Sequence, residues 1–166
     1  MSLSNLTPYF IDGINAQFAK DQVDELYQIF REDFIDNPII LNGKKVKVIM
    51  KNSKIAQYSC YCETFTHLIT KREGQFRLYT CERAEKIHWI KPIIEAHPCS
   101  DILYYKWQDN NGICKEHFWH ISKKFMVVLR DIDEDSRIVT AFCVEDDSAV
   151  TYYDRFKAYK AGTSTC

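Results

Sequence analysis

The segment Cys81-Glu82-Arg83-Ala84-Glu85-Lys86-Ile87-His88-Trp89-Ile90-Lys91-Pro92-Ile93-Ile94-Glu95 brings cations, an imidazole and an indole onto one short amphipathic stretch. At helical spacing Ala84, Ile87, Ile90, Ile93 and Ile94 face inward, leaving Arg83, Lys86 and Lys91 for the outer side. Such a surface suits a phosphate group. His67 precedes the segment, and Thr140, within Val139-Thr140-Ala141-Phe142, follows it. Together these groups meet the needs of metal-independent RNA cleavage by the ribose 2′-hydroxyl: proton exchange near neutral pH at His67 or His88, cations for phosphorane charge, and a hydroxyl donor at Thr140. Trp89, Tyr104, Tyr105 and Trp107 are candidates to stack on bases, although aromatic residues on strands more often build core. The plainer reading of the segment is a helix with a solvated charged face.

Other chemistries find less support. Cys60 and Cys62, with His67, Cys81, His97 and Cys99 elsewhere, give only one Cys-x-Cys and one His-x-Cys, not the doubled pairs of a structural zinc site. The expectation is no metal and no cofactor. The 5 glycines form no phosphate-cradling loop, and no Gly-x-Ser-x-Gly elbow occurs. Cys60 lies near His67 in sequence but among tyrosines, without the electropositive surroundings of a thiolate. His117 and His120 occupy one strand at odd spacing and so point to opposite faces.

The elements that must position these groups follow from periodicity. Residues 15 to 35 read as a helix, with Phe18 or Ala19, Val23, Leu26, Tyr27, Phe30 and Phe34 at three- and four-residue steps, ended by Asn37-Pro38. Asn42-Gly43 predicts a tight hairpin between Ile39-Ile40-Leu41 and Val46-Lys47-Val48-Ile49. Residues 62 to 70 fit strand or short helix equally. A helix capped by Thr80 follows, with Pro92 kinking it or starting a second turn, and His97-Pro98 closing the block. Strands at 102–108, 113–121, 125–132 and 137–145 read as an antiparallel meander, and 150–159 as a closing helix with Tyr152, Tyr153, Phe156 and Tyr159 on its apolar side. Residues 161–166 read as a disordered tail. The fold class is α+β in a single domain spanning 1–166.

Composition agrees with one compact core: 166 residues, 46% hydrophobic and 14% aromatic. No apolar run is long enough to span a membrane and no secretory leader is evident, so the 7 irregularly spaced cysteines predict reduced thiols in a cytoplasmic protein. The net charge of −1 conceals a separation along the chain. Lys44, Lys45, Lys47, Lys51 and Lys54 form one basic run, while Asp131, Asp133, Glu134 and Asp135 cluster in one acidic turn and Glu145, Asp146 and Asp147 in another. A polyanion would be steered to the first region and repelled from the others, with Lys44 and Lys47 as binding residues. Equally, lysines on a sheet edge guard against aggregation.

Three stretches carry a resemblance. Glu63-Thr64-Phe65-Thr66-His67-Leu68-Ile69, the Cys81 to Glu95 segment, and Phe125-Met126-Val127-Val128-Leu129 followed by Arg137-Ile138-Val139-Thr140-Ala141-Phe142 resemble a phage-related bacterial family associated with the barnase/EndoU/colicin/RelE-like (BECR) nucleases. The resemblance spans roughly residues 39 to 160 and is most specific in the middle segment. It implies helices followed by a four-stranded antiparallel sheet, and toxin or phage-defence endoribonuclease activity. His67, Arg83, Lys91 and Thr140, with His88, are the catalytic positions it carries over; Lys86 and Trp89 remain substrate-binding candidates on the residues of the segment itself. RNA, whether tRNA or mRNA, and an antitoxin or immunity protein are the implied partners. The chain departs from many ribonucleases in not being basic overall. The competing expectation is a non-catalytic nucleic-acid- or protein-binding module encoded by a mobile element, which would bind through Lys44, Lys45 and Lys47 without cleavage.

Overall fold

The computed structural model describes residues 3–166; Met1 and Ser2 lie outside the described residues. Helix α1, Lys20–Arg31, continues into a π-helical turn over Glu32–Asp36, and the chain leaves helical geometry at Asn37. Val23, Leu26, Phe30 and Phe34 are buried at the predicted steps. Strands β1, Ile40–Leu41, and β2, Lys44–Lys47, make the expected hairpin, whose Asn42 and Gly43 both take positive φ. The stretch that fitted strand or helix resolves as helix α2, Glu63–Ile69.

Next comes a hairpin that the sequence reading did not contain: β3, Thr70–Glu73, against β4, Phe76–Tyr79. The basic segment is a broken helix rather than a continuous one. It consists of α3, Cys81–Ala84, a 3-10 turn over Ile87–Trp89, and α4, Ile90–Glu95. Thr80 occupies the N-cap position, but its hydroxyl donates to the Leu78 carbonyl and caps nothing. Ala84, Ile87, Ile90, Ile93 and Ile94 are buried as the spacing predicts.

Strands β5, Ile102–Gln108, β6, Cys114–His120, β7, Phe125–Ile132, and β8, Asp135–Cys143, run antiparallel in succession, each beside the next. The sheet is larger than this meander. β2 pairs parallel with β8 through Val46↔Ser136 and Lys47↔Arg137, giving six strands in the order β1-β2-β8-β7-β6-β5. That pairing overturns the charge separation read along the chain. It lays the basic run beside the acidic turn, so Lys44 binds the Asp131 carboxylate at 2.5 Å and the Asp133 carbonyl, while Lys47 pairs with Asp135.

Each face of the sheet has its own cover. Phe118, Phe125, Val127, Leu129, Ile138 and Ala141 pack with α1, α2 and α4 in the main core. The opposite face carries Tyr105, Trp119, Met126, Val128 and Val144. It is roofed by α5, Asp146–Lys160, through Ala149, Tyr152, Phe156 and Tyr159. Tyr153 was expected on that apolar side but is 44% exposed, because it falls one position off the packed stripe. The tail is likewise anchored: Ser164 donates to the Lys106 carbonyl and Cys166 is disulfide-bonded to Cys114. The expectation of seven reduced thiols therefore holds for five, Cys60, Cys62, Cys81, Cys99 and Cys143.

Candidate functional site: a cationic groove on the open half of the sheet

Alternation along the strands decides which side chains share the α5 face. The ladder pairs Tyr105↔His117, His117↔Val128 and Val128↔Thr140, with a bulge between Val128 and Leu129 that absorbs Val139. One step toward the turn, Lys47, Arg137 and Arg130 stand side by side on β2, β8 and β7. Lys115, paired with Trp107, continues that row on β6. α5 covers only the apolar half of this face, so the polar half remains an open groove.

Two adjoining cavities make up the groove. One, of about 450 Å³, is lined by Thr140, His117, Lys115, Trp107 and Arg155. The other, of about 350 Å³, is lined by His67, Arg130, Arg137, Lys115 and Asp109. They share Asp109, Asn111, Lys115 and Val139, so they are continuous. The sequence supplies the walls locally. Asp109 accepts from the backbone N–H groups of Asn111 and Ile113, folding the β5–β6 turn, and holds Lys115 at 2.7 Å. Arg155 reaches down from α5 over the Trp107 ring at 5.4 Å.

The cations differ in how they are partnered. Lys115 and Lys47 each have a carboxylate, whereas among the described residues Arg130 and Arg137 have neither ion pair nor hydrogen bond. Both arginines are exposed. Burial, reinforced by the nearby Arg77 and Arg83 and opposed by Glu63, pulls the His67 imidazole down to about 4. His117, 8% exposed and stacked on Tyr105 with ring centroids 4.6 Å apart, is also pulled down to about 4, mainly by burial. Both imidazoles are therefore neutral near pH 7 and able to accept a proton.

The structure brings together some of the residues singled out from sequence and separates others. His67 and Thr140 line the two halves of the groove. Arg83 stands beside it, half-buried. Its Nη1 donates to the Thr70 carbonyl at 3.1 Å, and its guanidinium lies 5.8 Å from the ring of Phe142, another groove residue. Lys91 and His88 lie elsewhere, in a cavity of about 560 Å³ bounded by Tyr9, Asp33 and Glu95 that shares no residue with the groove. There Lys91 Nζ donates to the Asn37 carbonyl and His88 Nε2 to the Thr7 carbonyl.

Trp89 does not present a face for stacking: it is 3% exposed, its Nε1 donates to Thr7 O, and its ring packs on Phe125. Lys86 is turned inward to the Glu82 carbonyl, the Glu85 carboxylate and Cys143 Sγ. The segment that promised a phosphate-holding wall thus spends its cations on its own chain.

Arg130, Arg137, Lys115, His117 and Arg155 were missed as site residues. A signal existed for two of them: Arg130 and Arg137 are equidistant from the two-residue turn Asp133-Glu134, so a tight hairpin must place them opposite each other. Among the described residues no group of three or more His, Cys, Asp or Glu is arranged to hold a metal ion, and no helix is long and apolar enough to cross a membrane. Family models, curated proteins and solved structures give no match to this chain.

Proposed function

We propose that the groove binds the sugar–phosphate backbone of RNA and cleaves it without a metal, as a BECR-like endoribonuclease of toxin or phage-defence type. The observation that carries this reading is the cation row across the sheet, in which Arg130 and Arg137 stand directly opposite each other, neither held in an ion pair among the described residues. A cross-strand pair of like charges costs stability, and an anionic ligand recovers it. His67, neutral at physiological pH, is the base that takes the proton of the 2′-hydroxyl; as the 2′-oxygen bonds to phosphorus the P–O5′ bond breaks, water in the open groove protonates the leaving 5′-oxygen, and a 2′,3′-cyclic phosphate remains. The arginines stabilise the phosphorane, and the Thr140 hydroxyl donates a hydrogen bond from the opposite wall.

One observation favours a second reading, a binding module without turnover. Both groove histidines are held far below neutrality, so neither supplies a protonated acid for the leaving 5′-oxygen. A single experiment separates the two. End-labelled RNA is incubated with the chain in excess chelator from pH 4 to 8, beside the same oligomer with 2′-deoxyribose throughout. Cleavage of RNA alone, leaving cyclic phosphate ends and lost in His67→Ala, supports the nuclease. Binding without products supports the module, and absence of binding refutes both.

A further inference from the structure

Behind His67, on the side away from the cation row, lies a cavity of about 290 Å³ formed by Ser53, Ile55, Glu63, Thr66 and Arg77 with His67 itself. His67 and Glu63 line both this cavity and the groove, so the two spaces meet there. The cavity's lining is mostly apolar, yet it holds buried polar atoms that packing leaves without partners. Thr66 is 2% exposed, yet its Oγ1 has no hydrogen-bond partner, an omission that a helical threonine usually repairs on its own backbone.

Arg77 is fixed in place by three bonds, Nε to Thr70 Oγ1 and Nη2 to the carbonyls of His67 and Thr70. Its Nη1 is left without a partner among the described residues. Glu63 Oε2 is buried without a hydrogen bond, although Lys51 Nζ lies 3.1 Å from it. The cavity therefore offers a fixed guanidinium donor, a carboxylate acceptor and an unsatisfied hydroxyl beside the walls of the groove.

We infer that this cavity is a nucleobase subsite selecting a base that presents a ring N–H beside a carbonyl, guanine or uracil, over adenine and cytosine. The inference rests on the groove binding RNA. A carbonyl oxygen of the base accepts from Arg77 Nη1, its ring N–H donates to the Glu63 carboxylate, and Thr66 Oγ1 takes the remaining edge. Adenine and cytosine have an unprotonated ring nitrogen where the N–H is needed, which would face the Glu63 carboxylate lone pair to lone pair. Desolvated mismatches of this kind discriminate strongly, because the site's own polar groups are left unpaired.

The test is fluorescence anisotropy with labelled 2′-O-methyl oligoribonucleotides, which cannot be cleaved through the 2′-oxygen. Each is a run of alternating A and C with one central position set to G, U, A or C. The expected result is at least about tenfold tighter binding of the G or U oligomer, a preference lost in Glu63→Gln and reduced in Thr66→Val. Thr66→Val is nearly isosteric and removes an unpartnered hydroxyl, so its thermal melt should not fall. Equal binding of all four oligomers overturns the subsite while leaving the groove reading intact. Binding of none overturns both.

Discussion

Replacing Arg137 by Gln should make the protein slightly more stable and a poorer RNA binder, opposite signs that a merely structural arginine would not give. Arg137 faces Arg130 on one side and Lys47 on the other, and only the lysine has a carboxylate. Two unit charges about 6 Å apart in water repel by about 0.7 kcal/mol, and ordinary salt trims that further, so relief of about 0.5 kcal/mol is expected. For a chain of this size that is a rise in melting temperature of about 1–2 °C. Removing one charge-assisted phosphate contact should cost about 1.5 kcal/mol of binding, roughly tenfold in Kd. It should also flatten the plot of log affinity against log salt by about 0.7 for a single strand. Differential scanning calorimetry and anisotropy titrations at several salt concentrations measure the two effects on the same preparations. A melting temperature lowered by several degrees, or an unchanged salt slope, would refute the assignment of this arginine to a ligand.

Four further outcomes follow from the same structure. His67 and His117, both held near 4 against an ordinary value of about 6.5, leave the native state with fewer bound protons than the unfolded chain between those limits. Stability should therefore be full above about pH 6.5 and decline as pH falls toward 4, and His117→Gln should make the melting temperature less sensitive to acid across that window. If cleavage is observed, its rate should rise with pH through an apparent pKa near 4 and then level off, so a limb near 6.5 would remove His67 as the base. Phe65→Ala, which deletes a fully buried ring packed on Tyr27, Phe30 and Tyr61, should cost about 3–5 kcal/mol in urea denaturation. Thiol titration of the denatured chain should count five thiols before reduction and seven after.

What could be read from sequence was whatever local periodicity and turn chemistry control. β7 matches its predicted bounds, the Asn42-Gly43 hairpin forms, and His117 and His120 point to opposite faces as their spacing requires. The missed elements depend on other forces. Lys71-Arg72-Glu73 shows no apolar alternation, and β3 exists because Gly74 turns the chain back on Phe76–Tyr79. The parallel β2–β8 contact joins residues about ninety positions apart, beyond any local pattern, and it is what neutralises Lys44 and Lys47.

Site residues divide in the same way. His67 and Thr140 reach one groove because strand alternation and the α2–β8 packing put them there. Lys91 and His88 leave it because the helix breaks after Ala84, which a continuous amphipathic pattern does not reveal. Trp89 sits with the isoleucines because an indole with a carbonyl for its N–H is good core material.

The anchored tail has a consequence for how these molecules meet one another. β5 is the free margin of the six-stranded sheet, seven residues of backbone whose outer groups would template a strand from a neighbouring chain. Ser164 occupies the Lys106 carbonyl on that margin, and the Cys114–Cys166 bond keeps the last residues from drifting off it. A reductant that opens the bond would thus act on colloidal behaviour before it acts on the fold. It would uncover a margin on which chains can add edge to edge, and light scattering after reduction would register that as slow, concentration-dependent growth in particle size.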